Sequence, residues 1–350
     1  MNRITALIGT IFSISTLHAQ EAITITSADM FNEIGLYYRA FMNNPVSPVP
    51  VSDLIGEKGG PQLWDFADGP TDTIQRFDYV PVDELSHGQD FPDATFAERK
   101  TNEATGESEF LYLETVPEGR KVYGFYSENF NPLAPSNVFV PPIVDFPAQI
   151  NFGDKWSTAV AYTADIFGIP AIISQNSTFE VDAFGIIDLP EVGFGDTLRV
   201  NELVEISIEV DLFGEGTFQN ISTDFVRNLY WFRPGMGIAA QMNSTQSGSP
   251  PADNFNNATA FLRLFETNKE AGPSCEEAQP VSDLSISLGS NSALLKWTKT
   301  ECAQSYRVES TTTPDGLESW TELGTTNDNF MLDTSIKGNH TSRTKTMCYK

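Results

Sequence analysis

The chain has 350 residues and a formal net charge of −26, and a surface of that sign repels nucleic acids and anionic membranes. Hydrophobic residues make up 40% and aromatic residues 11%, which excludes a wholly disordered chain. The length predicts about two domains. The 25 Phe, 25 Gly and 21 Pro favour strands joined by turns, so we expect an all-β protein.

Residues 1–20 have the pattern of an export signal. Arg3 precedes a mostly apolar stretch, residues 4–17, that is too short to span a bilayer as a helix. Signal peptidase is expected to cleave after Ala19 or Gln20. The absence of a nearby Cys argues against a lipid anchor. The pattern predicts a secreted, extracellular or cell-surface protein, with the periplasm as an alternative, and no transmembrane segment after cleavage.

Residues 21–268 are predicted to form one antiparallel β-rich domain. Two aromatic-rich runs, 110–115 and 121–126, flank a Pro-Glu-Gly turn and predict a hairpin. Residues 36–41 contain two Tyr and one Phe, which are poor helix formers, so we predict a strand there as well.

A second hairpin is predicted from residues 197–210 and 225–232, with glycines in the turn between them. The first run alternates and places four β-branched residues on one face: Val204, Ile206, Ile208 and Val210. Residues 131–147 contain five prolines. Because proline lacks a backbone donor, we expect a loop there, or a polyproline II segment at a sheet edge.

A linker is predicted at residues 269–279, and residues 280–350 then alternate sharply. Around a turn at 289–292, one antiparallel register puts three pairs on one face: Leu284 with Trp297, Ile286 with Leu295, and Leu288 with Ala293. The core of a β-sandwich requires such a register.

Residues 280–350 resemble a fibronectin type III domain. The matching segments are the start of strand A at 280–284, strand B at 295–297, strand C at 303–309, the segment after it at 320–323, and the opening of strand F at 346–350. The resemblance implies an immunoglobulin-like sandwich with Trp297 in its core. Met347 replaces the usual corner Tyr. Strand G is missing before Lys350, so we expect a truncated domain, from a fragment or from a frameshift affecting residues 337–345.

Three cysteines follow residue 270: Cys275, Cys302 and Cys348. The register places the end of the linker opposite Cys302, within reach of Cys275 if the linker curls back. Met347 and Tyr349 would take the inward positions of strand F, so Cys348 would point outward. We therefore predict a Cys275–Cys302 disulfide and a free Cys348. No zinc spacing is present.

Residues 21–240 resemble an uncharacterised extracellular β-domain of bacterial proteins, often ones exported by type IX secretion. The motifs occur in order: LWDF at 63–66, FP at 146–147, NFGDKW at 151–156, LP at 189–190, DTLRV at 196–200 and YWF at 230–232. The resemblance implies export and implies no particular activity.

No catalytic set emerges from the sequence. Only His87 and His340 remain after cleavage to serve a Ser-His-Asp triad, and no G-x-S-x-G motif is present. We expect His87 in a polar turn. The 47 acidic residues produce chance pairings throughout, so the paired carboxylates of a glycosidase have no distinguishing signal.

Two ligand-binding patterns have simpler structural explanations. Asp65, Asp68 and Asp72 around a glycine suggest a weak calcium loop, but the spacing departs from an EF-hand and favours an acidic turn. Three tryptophans could stack on sugars, although burial in the core is the favoured interpretation: Trp64, Trp156 and Trp231.

The sequence thus favours a secreted or cell-surface protein with a binding or structural, adhesion-like role, no evident catalysis and no cofactor beyond weakly bound calcium. An unknown extracellular protein or a glycan is the expected partner. The alternative is an extracellular carbohydrate-binding or hydrolase-accessory protein.

Overall fold

A computed structural model describes residues 22–129, 135–166, 168–269, 281, 284–288, 293–298, 306–311, 321–326, 329–333 and 341–345. Its regular structure is almost entirely strand, which confirms the predicted all-β class. The described residues divide into two compact units, one containing 22–269 and one containing the described residues from 281 onwards. The export signal predicted at residues 1–20 lies outside the described residues.

Sixteen strands belong to the larger unit as described: β1 (Thr24–Thr26), β2 (Tyr37–Met42), β3 (Val49–Pro50), β4 (Gly59–Asp65), β5 (Thr73–Pro81), β6 (Phe96–Asn102), β7 (Ser108–Val116), β8 (Gly119–Tyr126), β9 (Ser136–Pro147), β10 (Gln149–Asn151), β11 (Lys155–Ile166), β12 (Ile169–Leu189), β13 (Gly193–Val210), β14 (Gln219–Arg233), β15 (Gly237–Ser244) and β16 (Asn257–Thr267). Its helices are short: α1 (Ser52–Ile55) and 3-10 helices at Ser27–Asp29, Val82–Glu84 and Gly88–Asp90. No helix in the described part of the chain meets the length and hydropathy needed to cross a membrane.

One large sheet dominates this unit. Twelve strands follow one another in the order β11-β12-β13-β14-β15-β16-β2-β5-β6-β7-β8-β9, and neighbours along this path pair antiparallel. β3 pairs with β16, and β1 pairs with β10 in a separate two-stranded sheet. β4 departs from the predicted antiparallel arrangement because it lies parallel to β12.

The large sheet curves until its two end strands, β9 and β11, come within 8 Å of each other between Cα atoms. The Trp156 indole on β11 donates a 2.8 Å hydrogen bond to the Asp145 carbonyl on β9. Side chains from distant parts of the sheet meet on the inner face, where Phe77 of β5 and Ile173 of β12 belong to one hydrophobic cluster. The curvature therefore creates an interior shared by almost every strand.

Both predicted hairpins are confirmed. β7 and β8 pair antiparallel around the Pro-Glu-Gly turn, and β13 and β14 pair antiparallel from Val210 opposite Gln219 to Leu198 opposite Phe232. The strand predicted at residues 36–41 is β2, which begins at Tyr37.

The proline-rich stretch is a strand rather than the predicted loop, although it does lie at the sheet edge. β9 begins at Ser136, and residues 130–134 lie outside the described residues. The ladder with β8 passes from Ile143 opposite Val122 to Val138 opposite Gly124. Residues 139–142 are left out of this ladder, so Pro141 and Pro142 fall where no backbone donor is needed.

A second hydrophobic layer covers the outer face of the sheet around β12 and β14. Trp64, Phe66 and Ile55, from the segment that contains α1 and β4, pack with Trp231 and Phe261. Trp64 meets Trp231 edge-on at 6.0 Å between ring centroids. Two indoles are thereby removed from water, which is the usual use of large aromatic side chains in a core.

In its described residues the smaller unit contains two three-stranded sheets, β17-β18-β21 and β20-β19-β22. The strands are β17 (Ser285–Leu288), β18 (Ala293–Lys296), β19 (Tyr306–Thr311), β20 (Thr321–Thr326), β21 (Phe330–Asp333) and β22 (Thr341–Lys345). The pairings of Ile286 with Leu295 and of Leu288 with Ala293 are confirmed. Trp297 is buried against Tyr306, so both sheets contribute to one core.

The final strand of this unit differs from the prediction. Residues 341–345, which we expected to belong to a disrupted polar run, form β22 and pair antiparallel with β19. The segment predicted to open strand F, residues 346–350, lies outside the described residues, as do His340, Cys275, Cys302 and Cys348. The linker predicted at 269–279 is described only at Lys269, whose ammonium donates to the Ala28 and Met30 carbonyls.

Candidate functional site

The inner face of the large sheet lines a partly open cavity of about 340 Å³. Its wall combines hydrophobic side chains with polar ones that come from eight different strands: Tyr38 (β2), Glu98 (β6), Arg120 (β8), Asp145 (β9), Gln175 (β12), Glu202 (β13), Tyr230 (β14) and Gln241 (β15). Concave sites of this size with a few convergent polar groups are typical of small-molecule binding.

Arg120 and Asp145 form an ion pair in the cavity wall. Nε of Arg120 lies 3.1 and 3.2 Å from the two carboxylate oxygens of Asp145, and only 15% and 16% of the two side chains are exposed. The guanidinium also lies over the Phe146 ring, 4.8 Å from its centroid. Burial alone would lower the pKa of Arg120, but the adjacent carboxylate holds that pKa above its ordinary value. Asp145 therefore neutralises the guanidinium locally.

Glu202 is a buried carboxylate whose partners are neutral. Its Oε2 accepts hydrogen bonds from Asn228 Nδ2 at 2.8 Å and from the Tyr230 hydroxyl at 2.7 Å, and Ser177 donates to the same carboxyl. Only 8% of the residue is exposed. Burial raises the pKa of Glu202, and the negative charge of Asp145 raises it further. Among the described residues no ion pair includes Glu202, so its charge lacks compensation.

Glu98 lies beside two buried tyrosines. The Tyr79 hydroxyl donates a 2.5 Å hydrogen bond to Glu98 Oε2. Burial and the Glu98 charge raise the pKa values of both Tyr79 and Tyr38. Tyr38 is 6% exposed and stacks on Phe77, and within the described structure its hydroxyl forms no hydrogen bond. The Tyr38 hydroxyl, which can both donate and accept a hydrogen bond, thus has no protein partner in the described cavity wall.

Taken together, the wall holds three carboxylates and one guanidinium beside aromatic rings. Glu98, Asp145 and Glu202 carry the negative charges, and Arg120 carries the positive one. The remainder of the wall includes Phe139, Phe146, Phe179 and Ile143. Charged and aromatic groups in a partly dehydrated space interact more strongly with a ligand than they would in water.

Sequence reasoning did not identify these residues. One signal was present in β13, where the alternating run of Val204, Ile206 and Ile208 continues back to Glu202 on the same face. A carboxylate at an inward position of an otherwise apolar strand indicates either a partner or a ligand. The partners of Glu202 are on β12 and β14, up to 28 residues away, and no local pattern connects them.

The acidic residues considered for calcium have separate roles in their turn. Asp65 Oδ1 accepts from the Ala67 amide at 3.2 Å, and Asp72 Oδ2 accepts from the Asn44 amide at 2.9 Å. In the part of the chain that the structure describes, no three His, Cys, Asp or Glu side chains gather closely enough to hold a metal ion.

The favoured core interpretation of the tryptophans is confirmed for Trp64 and Trp231, which are 2% and 0% exposed. Trp156 is half-buried and stacks on Phe179, 4.8 Å between centroids. None of the three is positioned as an exposed platform for a sugar ring.

His87 lies between two 3-10 helices, in the polar turn that we predicted. Its ring stacks on Tyr126 at 3.7 Å and its Nδ1 contacts the Tyr112 hydroxyl. Burial lowers the pKa of His87. The His87 imidazole therefore contacts tyrosine side chains, and its Nδ1 forms a hydrogen bond with a phenol rather than with a carboxylate.

Comparison with known proteins found no match to any family model, curated protein or solved structure.

Proposed function

We propose that the protein binds a small organic molecule in the cavity of the curved sheet, as an exported binding protein. The observation that carries the proposal is the convergence of Glu202, Glu98 and the Tyr38 hydroxyl on one interior space of about 340 Å³. Buried polar groups without full partners destabilise a fold. A bound molecule that pairs with these polar groups would offset the loss of stability, which supports a role for them in ligand binding.

A fluorescence titration with N-phenyl-1-naphthylamine, an uncharged probe that brightens in apolar surroundings, tests this function. We expect saturable binding to the intact protein and at least about tenfold weaker binding to Val122→Phe, because Val122 lines the cavity and a larger ring would fill it. Ile221→Phe is the matched control because Ile221 is 55% exposed on β14. Equal binding by both folded variants would contradict the proposal, as would the absence of saturable binding both for this probe and for the three charged and uncharged adamantane probes described below.

The extracellular, adhesion-like setting remains part of the proposal. It is supported by the export pattern of residues 1–20 and by the strand order of the smaller unit. Two three-stranded sheets around Trp297 and Tyr306 are compatible with the fibronectin type III resemblance, because immunoglobulin-type sandwiches also divide their strands between two sheets. The resemblance of residues 21–240 to a domain of type IX-secreted proteins also supports the extracellular part of the proposal.

The second candidate, carbohydrate binding, is favoured by two amides in the same cavity. Gln175 and Gln241 line it together with Tyr230, a combination that suits hydroxyl groups on a ring. A glycan array probed in the presence of calcium separates this candidate from the first. Retention of a glycan by the intact protein, and loss of retention in Gln241→Leu, is the expected result if the ligand is a sugar.

A further inference from the structure

The charges in the cavity wall do not cancel. Arg120 is the guanidinium of the wall, and Asp145 engages it through both carboxylate oxygens. Glu202 receives hydrogen bonds from neutral donors alone, and Glu98 receives one from the Tyr79 hydroxyl. Arg120 also interacts electrostatically with Glu98, so one guanidinium serves three carboxylates, and among the described residues neither Glu98 nor Glu202 forms an ion pair.

The rest of the wall suits a positive charge as well. Phe139 and Phe179 line the cavity together with Tyr230. Tyr230 lies nearly perpendicular to Phe146 at 5.7 Å. The faces of aromatic rings attract cations, and the attraction grows when water is excluded. The Tyr38 hydroxyl, on a residue that is 6% exposed and without a protein partner, offers an acceptor oxygen to the N–H groups of a protonated amine in the same cavity.

The alternatives are less favourable. An anionic ligand would meet two uncompensated carboxylates, and the guanidinium that could attract it is already paired with Asp145. A neutral apolar ligand would remove water from Glu98 and Glu202 and leave their charges without a counterion, which is costly. A cation both keeps these carboxylates ionised and pairs with them.

We propose that the ligand of this cavity is an organic cation, a protonated amine or quaternary ammonium whose charged nitrogen lies between Glu202 and Glu98 while its hydrocarbon part packs on the aromatic wall. This inference rests on the proposed binding function and specifies the chemical class of the ligand. The hydrocarbon part would contact Phe139 and Ile143, which line the same cavity.

Three probes with one hydrocarbon body and different charges test the inference: protonated 1-adamantanemethylamine, neutral 1-adamantanemethanol and anionic 1-adamantanecarboxylate. Each is titrated by calorimetry into the intact protein at neutral pH. We expect the amine to bind at least about tenfold more tightly than the alcohol, and the carboxylate to bind most weakly.

Glu202→Gln identifies the group responsible. We expect it to weaken amine binding by about tenfold or more and to leave alcohol binding within about threefold, because the amide retains an acceptor oxygen and loses the charge. Glu205→Gln is the matched control, since Glu205 lies three positions along β13 on the opposite face. Glu98→Gln serves as the second charge variant if Glu202→Gln does not fold.

The outcomes separate the two proposals. Equal affinities for the amine and the alcohol, tighter binding of the carboxylate, or an unchanged amine affinity in both charge variants would overturn the cationic ligand and leave cavity binding intact. Failure of all three adamantane probes and of N-phenyl-1-naphthylamine to bind would overturn the cavity function itself.

Discussion

At the scale of single residues, Glu202 combines burial with hydrogen bonding that only partly offsets it. Three neutral donors lower the cost of its charge, while burial and the nearby Asp145 raise its pKa. A carboxylate in such surroundings is held in place by its neighbours and is still electrostatically unbalanced. This imbalance has a measurable consequence for stability.

The raised pKa of Glu202 makes stability depend on pH. The folded protein binds a proton at Glu202 more tightly than the unfolded chain does, whose carboxyl titrates near 4.5. The contribution of Glu202 to the free energy of unfolding is therefore fully present below the pKa of the unfolded chain. It is lost as the pH rises through the higher pKa that Glu202 has in the folded protein. Glu202→Gln does not titrate, so its free energy of unfolding should gain on that of the wild type as the pH is raised from about 4.5 towards neutrality. Urea unfolding across this range measures the difference.

A constant difference between the two proteins across this range would show that the Glu202 pKa is unshifted. Glu205→Gln is again the control, because Glu205 lies on the opposite face of β13 and takes no part in the cavity. The comparison uses differences between matched proteins, so the titration of the other acidic residues cancels.

At the scale of elements, one buried arginine connects the segment of α1 to the sheet. Arg199 Nε pairs with Asp182 at 2.7 Å, and its other nitrogens donate to the carbonyls of Ile55, Gly56 and Glu57. The Arg199 and Asp182 side chains are 3% and 1% exposed. The arginine thus satisfies a carboxylate and three carbonyls at once.

Replacing this arginine should be severe. Arg199→Met leaves Asp182 buried without its cation, and we expect it to lower the free energy of unfolding by about 3–5 kcal/mol. Lys155→Met is the control, because Lys155 is 68% exposed in its pair with Glu180 and should cost about 1 kcal/mol or less. Similar losses for the two variants in guanidinium unfolding would contradict the assignment.

The parallel pairing of β4 with β12 depends on a close backbone approach. A Cβ at Gly185 would overlap with the Gln62 carbonyl oxygen. Gly185→Ala should therefore force β4 away from β12 and cost about 1–3 kcal/mol. Gly248→Ala is the matched control, because nothing lies within 4 Å of its added Cβ. Thermal unfolding should separate the two variants, and equal midpoints would argue against the close approach.

Elements with local partners were predictable, and elements with distant partners were not. The two hairpins follow from alternation and turn residues that lie side by side in the chain. We predicted a loop instead of β9 because prolines usually interrupt strands. Pro141 and Pro142 lie where the ladder with β8 is irregular, so the strand accommodates them. The parallel pairing of Ile187 with Trp64 joins residues 123 positions apart in sequence, and no local sequence pattern predicts it.

The cavity was unpredictable for the same reason. Its charged residues Glu98, Arg120, Asp145 and Glu202 are spread over four strands, and each is an ordinary charged residue in its local context. Only the curvature of the sheet brings them together. The burial of Trp64 and Trp231 could be anticipated because large aromatic side chains have a strong general tendency to enter cores.

At the scale of the whole molecule, the proposed export gives a chemical expectation for the cysteines. We predict that peptide mapping of the exported protein without reduction finds a Cys275–Cys302 disulfide and an alkylatable Cys348. Cys275→Ser should then lower the stability of the smaller unit by about 2–4 kcal/mol, because the bridge restricts the unfolded chain. Cys348 in a bridge, or an unchanged stability in the serine variant, would contradict the pairing.

The bond from the Trp156 indole to the Asp145 carbonyl has a kinetic consequence. The Asp145 carboxylate lies in the cavity wall, and its carbonyl accepts the hydrogen bond from β11. One residue therefore belongs both to the contact between β9 and β11 and to the lining of the cavity. We expect separation of β9 from β11 to disturb the Arg120–Asp145 ion pair, and the proposed ligand to slow that separation by stabilising this wall. The rate of ligand exchange would then follow the rate at which these two strands separate.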